Sequence, residues 1–225
     1  MPTNKLTNQL HLHFIVFIWG FTAILGALIT LDAISLVWFR VFMASAVLFI
    51  FFKIKKIPLK ERGSDLLKFI FGGIIVALHW VTFFYAIKIS TVSTTLITMS
   101  SSAIFVVLIK PFFERKKFEF YELILAVVAI FGFVIIFKSE TIYARGIIVA
   151  LISSFLVALF SVYNSRLIKS YSGGKIAFYE LFFAGLFLTL VLFYQGEFSG
   201  SFFLLKGSDW LYLLILASVC TAYPF

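Results

Sequence analysis

The chain has 225 residues, of which 62% are hydrophobic and only 13% charged, with a mean hydropathy of +1.10. A soluble domain is near half apolar and about a quarter charged, so this composition excludes an ordinary water-soluble globule and points to lipid as the solvent. The net charge of +9 does not point to nucleic acid, because the lysines and arginines cluster between apolar runs and not along one face.

A helix crosses a bilayer with about 20 mainly apolar residues. Eight segments approach that length: 14–31, 34–52, 66–88, 90–112, 120–137, 146–165, 176–195 and 209–225. Lys5 ahead of the first apolar run is also how a signal peptide begins. Further spans follow, however, and no A-x-A cleavage site closes the run, so it is the first span of a polytopic protein.

Taken in order, the spans carry few polar residues, and each invites two readings. Trp19 in span one and Trp80 in span three can stack on a solute or fill the bundle. Arg40 lies inside span two and Glu180 inside span seven, and intramembrane charges are costly and often functional. An Arg40–Glu180 pair is tempting but conflicts with topology, because each residue lies near the start of its own span and the two spans enter from opposite sides. Snorkelling or separate local partners fit better. His79, at mid-depth in span three, is the one His inside these spans; it can couple protons or simply pack.

Span four opens with STVSTTLITMSSS, residues 90–102, nine of which are Ser or Thr. On a helical wheel Val92, Leu96, Met99 and Ala103 form one narrow apolar stripe and hydroxyls cover most of the remainder. The hydroxyls either bond back to helix carbonyls and let helices approach, or line a cavity, with Thr94, Thr98 and Ser101 the candidates. Pro111 is expected to mark the end of this span. In span six Ala150, Ser154, Ala158, Ser161 and Ser165 form a small-residue stripe expected to be a packing seam. Span eight ends in Cys220-Thr221-Ala222-Tyr223-Pro224, where Thr221 is a candidate for the solute path and Pro224 predicts a kink. Gly72-Gly73 suits close packing and Gly173-Gly174 a turn. The lone Cys220 forms no intramolecular disulfide.

Counting Lys and Arg by connector gives 14 on the side of Lys5 and 4 on the other, with Arg40 left inside a span. The positive-inside rule then places the N-terminus in the cytoplasm of a plasma membrane, such as a bacterial inner membrane. Shifting the sequence by 140 aligns Phe42 with Phe182, Ala44 with Ala184 and Leu48 with Leu188. The predicted architecture is an all-α membrane protein built on an inverted repeat of five transmembrane helices, with about eight helices present here and ten in the full protein. The first repeat covers 10–138 and the second 145–225, where it stops after about three helices; the repeat predicts about 50–60 further residues beyond Phe225.

Trp19-Gly20, Arg40 with Ala44, the segment AIKISTVS at 86–93 and Glu114-Arg115 stand in the order and spacing of a known pattern. In these residues the chain resembles the EamA-like family of the drug/metabolite transporter superfamily. It departs at Ala103, where the family often has Pro, and at Phe113, where the family has the Gly of G-E-R. The resemblance implies two five-helix bundles around a central cavity and a secondary transporter of small metabolites or drugs, exporting or exchanging them by alternating access.

Trp19, His79, Trp80, Thr94, Thr98, Ser101 and Thr221 are the expected solute path, and Arg40 and Glu180 the intramembrane charges. The expected partners are a small-molecule solute and membrane lipid, with no nucleic acid, in a monomer or homodimer. No catalytic residues, metal or cofactor are expected: paired carboxylates at mid-depth, a His/Cys cluster and a phosphate-binding Gly-rich loop are missing from the sequence. A membrane-embedded scaffold without a transport cycle is the alternative.

Overall fold

The structure is a computed structural model, and it describes residues 5–114, 121, 124–128, 131–132, 135 and 141–224. All regular structure among these residues is helical: α1 (Lys5–Leu28), α2 (Ala33–Ile54), α3 (Gly63–Ile89), α4 (Val92–Met99), α5 (Ser102–Glu114), α6 (Ala144–Leu167), α7 (Gly173–Gln195) and α8 (Gly207–Ala217). A 3-10 turn, Thr141–Tyr143, precedes α6, and a π-helical turn, Ser218–Ala222, follows α8. Six helical runs among the described residues are long and apolar enough to cross a membrane, counting Val92–Glu114 as one; Gly207–Ala222 is shorter. Half of the predicted span at 120–137 falls outside the described residues; those described in it are helical.

Local chemistry sets the helix ends. Asp32 caps α2 by accepting from the backbone N–H of Ile34 at 2.8 Å and of Ser35 at 3.1 Å. Gly196 ends α7 at φ 72°, a left-handed conformation that glycine adopts without a Cβ penalty. Helix α1 begins at Lys5, ahead of the predicted start, so His11 and His13 are helical too. Gly173 and Gly174 form the first turn of α7 and not a loop.

The hydroxyl stretch does not continue as one regular helix. Between α4 and α5 the backbone tightens, with Ser100 N bonding to Ile97 O at 3.2 Å and Ser101 N to Thr98 O at 3.0 Å. Side chains compete for the same carbonyls: Ser100 Oγ donates to Ile97 O at 2.6 Å and Thr98 Oγ1 to Thr94 O at 2.7 Å. Such back-bonding bends helices. Pro111, in contrast, ends nothing. It lies within α5, which runs on to Glu114; membrane helices tolerate the lost donor.

Helix α3 is central and packs most extensively on α6 and α7. Glycines make this possible. A Cβ at Gly73 would stand 2.6 Å from Glu180 O, so α3 and α7 touch backbone to backbone. Helices α2 and α7 run antiparallel, with Trp38 Nε1 donating to Thr189 Oγ1 at 2.8 Å, the Phe42 ring against Gly185, and Phe49 stacked on Phe178. Two similar pentapeptides, GSDLL at 63–67 and GSDWL at 207–211, open α3 and α8. The small-residue seam of α6 differs from the expected one. Ala150, Ser154 and Ala158 are buried but Ser161 and Ser165 are exposed, and Gly146, Ser153 and Val162 complete the buried face. A packing face on a 3.6-residue helix drifts off a strict four-residue spacing.

Candidate functional site

Arg40 projects from the second turn of α2 into the bundle and is 2% exposed. Its guanidinium lies over the Trp80 ring of α3, 3.7 Å from the centroid, with Phe84 at 5.6 Å. Arg40 Nε donates to Thr221 Oγ1 at 2.9 Å. Thr221 reaches it from the π-helical turn, where its own hydroxyl donates to Leu216 O at 2.7 Å, five residues back. Tyr223 N likewise bonds to Ser218 O at 2.9 Å, five residues back, the wider spacing of a π turn. Three expected site residues, Arg40, Trp80 and Thr221, therefore meet in one buried cluster.

His79, one residue before Trp80, is held elsewhere. Its Nδ1 lies 3.0 Å from Ser153 O and 2.8 Å from Ser153 Oγ, while Ser153 Oγ donates to His79 O at 3.0 Å. These bonds close when Nδ1 carries the proton, a tautomer assigned from the network. They bind α3 to α6 as a packing clamp. Ser153 was not singled out by the sequence, because its neighbour Ser154 fits the four-residue stripe.

The hydroxyl wall is buried on one face only. Thr94, Thr95, Thr98 and Ser101 point inward, whereas Ser93, Leu96, Ile97 and Ser100 are exposed. Of the wheel stripe, Leu96 and Ala103 are exposed, while Val92 and Met99 are half-buried and pack against the core. Most inward hydroxyls are occupied: Thr94 Oγ1 meets Thr91 Oγ1 at 2.8 Å, Thr95 Oγ1 meets Ser90 Oγ at 3.1 Å, and Thr98 bonds back to Thr94 O. Ser154 Oγ of α6 donates to Thr98 O at 3.2 Å. Ser101 Oγ differs, being buried and without a partner among the described residues.

Glu180 is 1% exposed and does not snorkel. Its Oε2 accepts from Asn164 Nδ2 of α6 at 3.0 Å, and Gly72 of α3 leaves room for the carboxylate. No ion pair joins it to Arg40. In the antiparallel register of α2 and α7, Arg40 lies level with Phe187, about seven residues or ~10 Å along the axis from Glu180. Trp19 is 48% exposed on α1 and has no ring contact with the Arg40 cluster among the described residues. Membrane helices with a half-apolar surround make either face acceptable to a Trp, so sequence alone did not orient it.

Both ends of the bundle carry polar links. At one end Thr30 donates to Asp209 through its N–H at 3.0 Å and its hydroxyl at 2.6 Å, and Lys88 Nζ donates to Ile29 O at 3.0 Å. At the other, Lys175 pairs with Glu61 at 2.7 Å, Lys68 with Asp65 at 2.8 Å, and Tyr179 donates its hydroxyl to Leu59 O.

Long apolar helices around buried polar clusters define a polytopic α-helical membrane protein. Residues 10–138, more than half of the chain, match the EamA-like transporter family, and the chain belongs to that family, within the drug/metabolite transporter superfamily. It is a membrane transporter of that type, with a small-molecule solute and a lipid environment. A solved crystal structure of a protein, 16% identical, aligns over 98% of this chain and 78% of its own with a TM-score of 0.67, a likeness of fold. No curated protein matches the chain.

Proposed function

We propose that the chain is a secondary carrier that exports or exchanges small solutes by alternating access between two inverted repeats, one of five helices over 10–138 and one over 145–225 of which about three helices are present. The observation that carries this reading is the Arg40–Trp80–Thr221 cluster, a site within a membrane-spanning bundle where a buried arginine and threonine meet a half-buried tryptophan. It joins α2 and α3 to the turn after α8, and in inverted-repeat carriers the solute site lies between repeats. The matching GSDLL and GSDWL helix starts support the repeat. So do the polar links at the two ends, Thr30–Asp209 and Lys175–Glu61, which alternating access opens one at a time. Trp80 and Thr221 form the solute contact with Arg40 and Ser101 offers a further hydroxyl to the path, while His79 clamps α3 to α6 and Thr94 and Thr98 bond within α4. The protein sits in a plasma membrane with its N-terminus in the cytoplasm, as the charge bias directs.

The test is uptake and efflux of amino acids, nucleosides and cationic drugs in vesicles containing the purified full-length protein. Saturable flux that exchanges labelled for unlabelled solute is the expected result. No saturable flux for any class overturns the carrier reading and leaves a membrane scaffold.

A further inference from the structure

The Arg40 guanidinium is buried, yet none of the described carboxylates pairs with it. Buried charges are ordinarily paired, since an uncompensated one keeps a large desolvation penalty. Trp80 and Thr221 are neutral groups: the ring face attracts the cation and the hydroxyl accepts from Nε, but neither balances the charge. Nη1 has no partner among the described residues. A second buried hydroxyl, Thr22 Oγ1 on α1, has the Cys220 thiol as its one neighbouring polar group among them. The two belong to one neighbourhood. Cys220, beside Thr221, lies with its Sγ 3.9 Å from Ile18 O, one turn along α1 from Thr22. An orphaned Nη1 and an uncompensated positive charge call for an acceptor that carries negative charge. The nearest buried acid on the facing helix, Glu180, is about seven residues away in register and occupied by Asn164.

We propose that Arg40 anchors an anionic group of the transported solute, a carboxylate or a phosphate ester, with Thr22 as a secondary donor; this rests on the carrier reading above. Thr221 holds Nε and Trp80 holds the guanidinium plane, so the arginine is oriented before the solute arrives. The edge left open is the pair of terminal nitrogens, which matches the two oxygens of a carboxylate in a bidentate bond. Trp80 and Phe84 lie against the guanidinium and favour a solute with an apolar or aromatic body.

The test uses a series that varies only the head group: benzoate, phenyl phosphate, benzyl alcohol and benzylamine. Binding to the purified full-length protein is read by tryptophan fluorescence and calorimetry, and flux of the same compounds is measured in vesicles. Benzoate or phenyl phosphate is expected to saturate, with the neutral and cationic compounds about tenfold weaker or more. The comparison of the first two distinguishes a carboxylate from a phosphate site. Arg40→Gln is expected to weaken the anions by about 10- to 100-fold and to abolish the head-group preference. Arg40→Lys, which keeps the charge but not the fork or the stacked plane, falls between.

Equal binding of all four compounds by the unaltered protein overturns the proposal, and that comparison stands even where a variant fails to fold. A preference that survives Arg40→Gln overturns it too. Saturable flux of neutral or cationic solutes that ignores Arg40→Gln sinks the anion site and leaves the carrier. Anion binding lost in Arg40→Gln, with no flux of any solute, sinks the carrier and leaves the site.

Discussion

Gly73 gives the sharpest test of how α3 and α7 meet. Replacing it with Ala places a methyl 2.6 Å from Glu180 O, 3.1 Å from Ala184 N and 3.1 Å from Phe183 Cβ. A carbon and a carbonyl oxygen rest about 3.3–3.6 Å apart, so the helices must separate by about 0.7–1.0 Å at this point. The obstacle is backbone, which cannot rotate aside as a side chain can. Overpacking of this kind costs about 1–3 kcal/mol. Against it stands the better helix propensity of Ala, about 0.5–1 kcal/mol. The net expectation is a loss of up to about 2.5 kcal/mol. Gly20 is the control. It lies within α1 with nothing inside 4 Å of an added Cβ, so Gly20→Ala has only the propensity gain. Reversible unfolding in mixed micelles, followed by circular dichroism, should move the two variants in opposite directions. A Gly73→Ala protein as stable as Gly20→Ala would refute the close approach.

Other perturbations follow from the same packing. Ser153→Ala removes the hydroxyl that bridges α6 to His79 of α3 but leaves Nδ1 the Ser153 carbonyl and His79 O the Thr82 hydroxyl, and should cost about 0.5–1.5 kcal/mol in the same unfolding assay. Trp38→Phe removes the bond to Thr189 but keeps a ring of similar reach, and should cost about 0.5–1.5 kcal/mol. That loss should shrink to near zero in a Thr189→Val background. For topology, single cysteines at Lys175 and Lys206 in a Cys220→Ala protein should react with a membrane-impermeant thiol reagent from opposite faces of inverted and right-side-out vesicles. Labelling of both from one face contradicts the charge-derived orientation.

The sequence by itself determined the class of protein and its family. Runs of about 20 apolar residues leave the backbone no choice but helix in lipid, and the motifs from Trp19-Gly20 to Glu114 carry the family resemblance. Solvent gave no such constraint on direction. In a span where every face is apolar, hydropathy does not say which side meets protein, so Trp19 turned outward and Ile97 joined Leu96 on the exposed face of α4. The partners of the polar residues were also decided in three dimensions. Arg40 and Glu180 sit at matching places in the two halves, yet antiparallel helices carry them about 10 Å apart and hand each to a neighbour: Thr221 and Trp80 for one, Asn164 for the other. Ser153 took His79 because α6 crosses α3 at that level, a fact of packing between segments more than 70 residues apart in the chain. Composition and periodicity are local properties and survive in one dimension. Which buried donor finds which acceptor is set by contact between distant segments, and only the tertiary structure holds that.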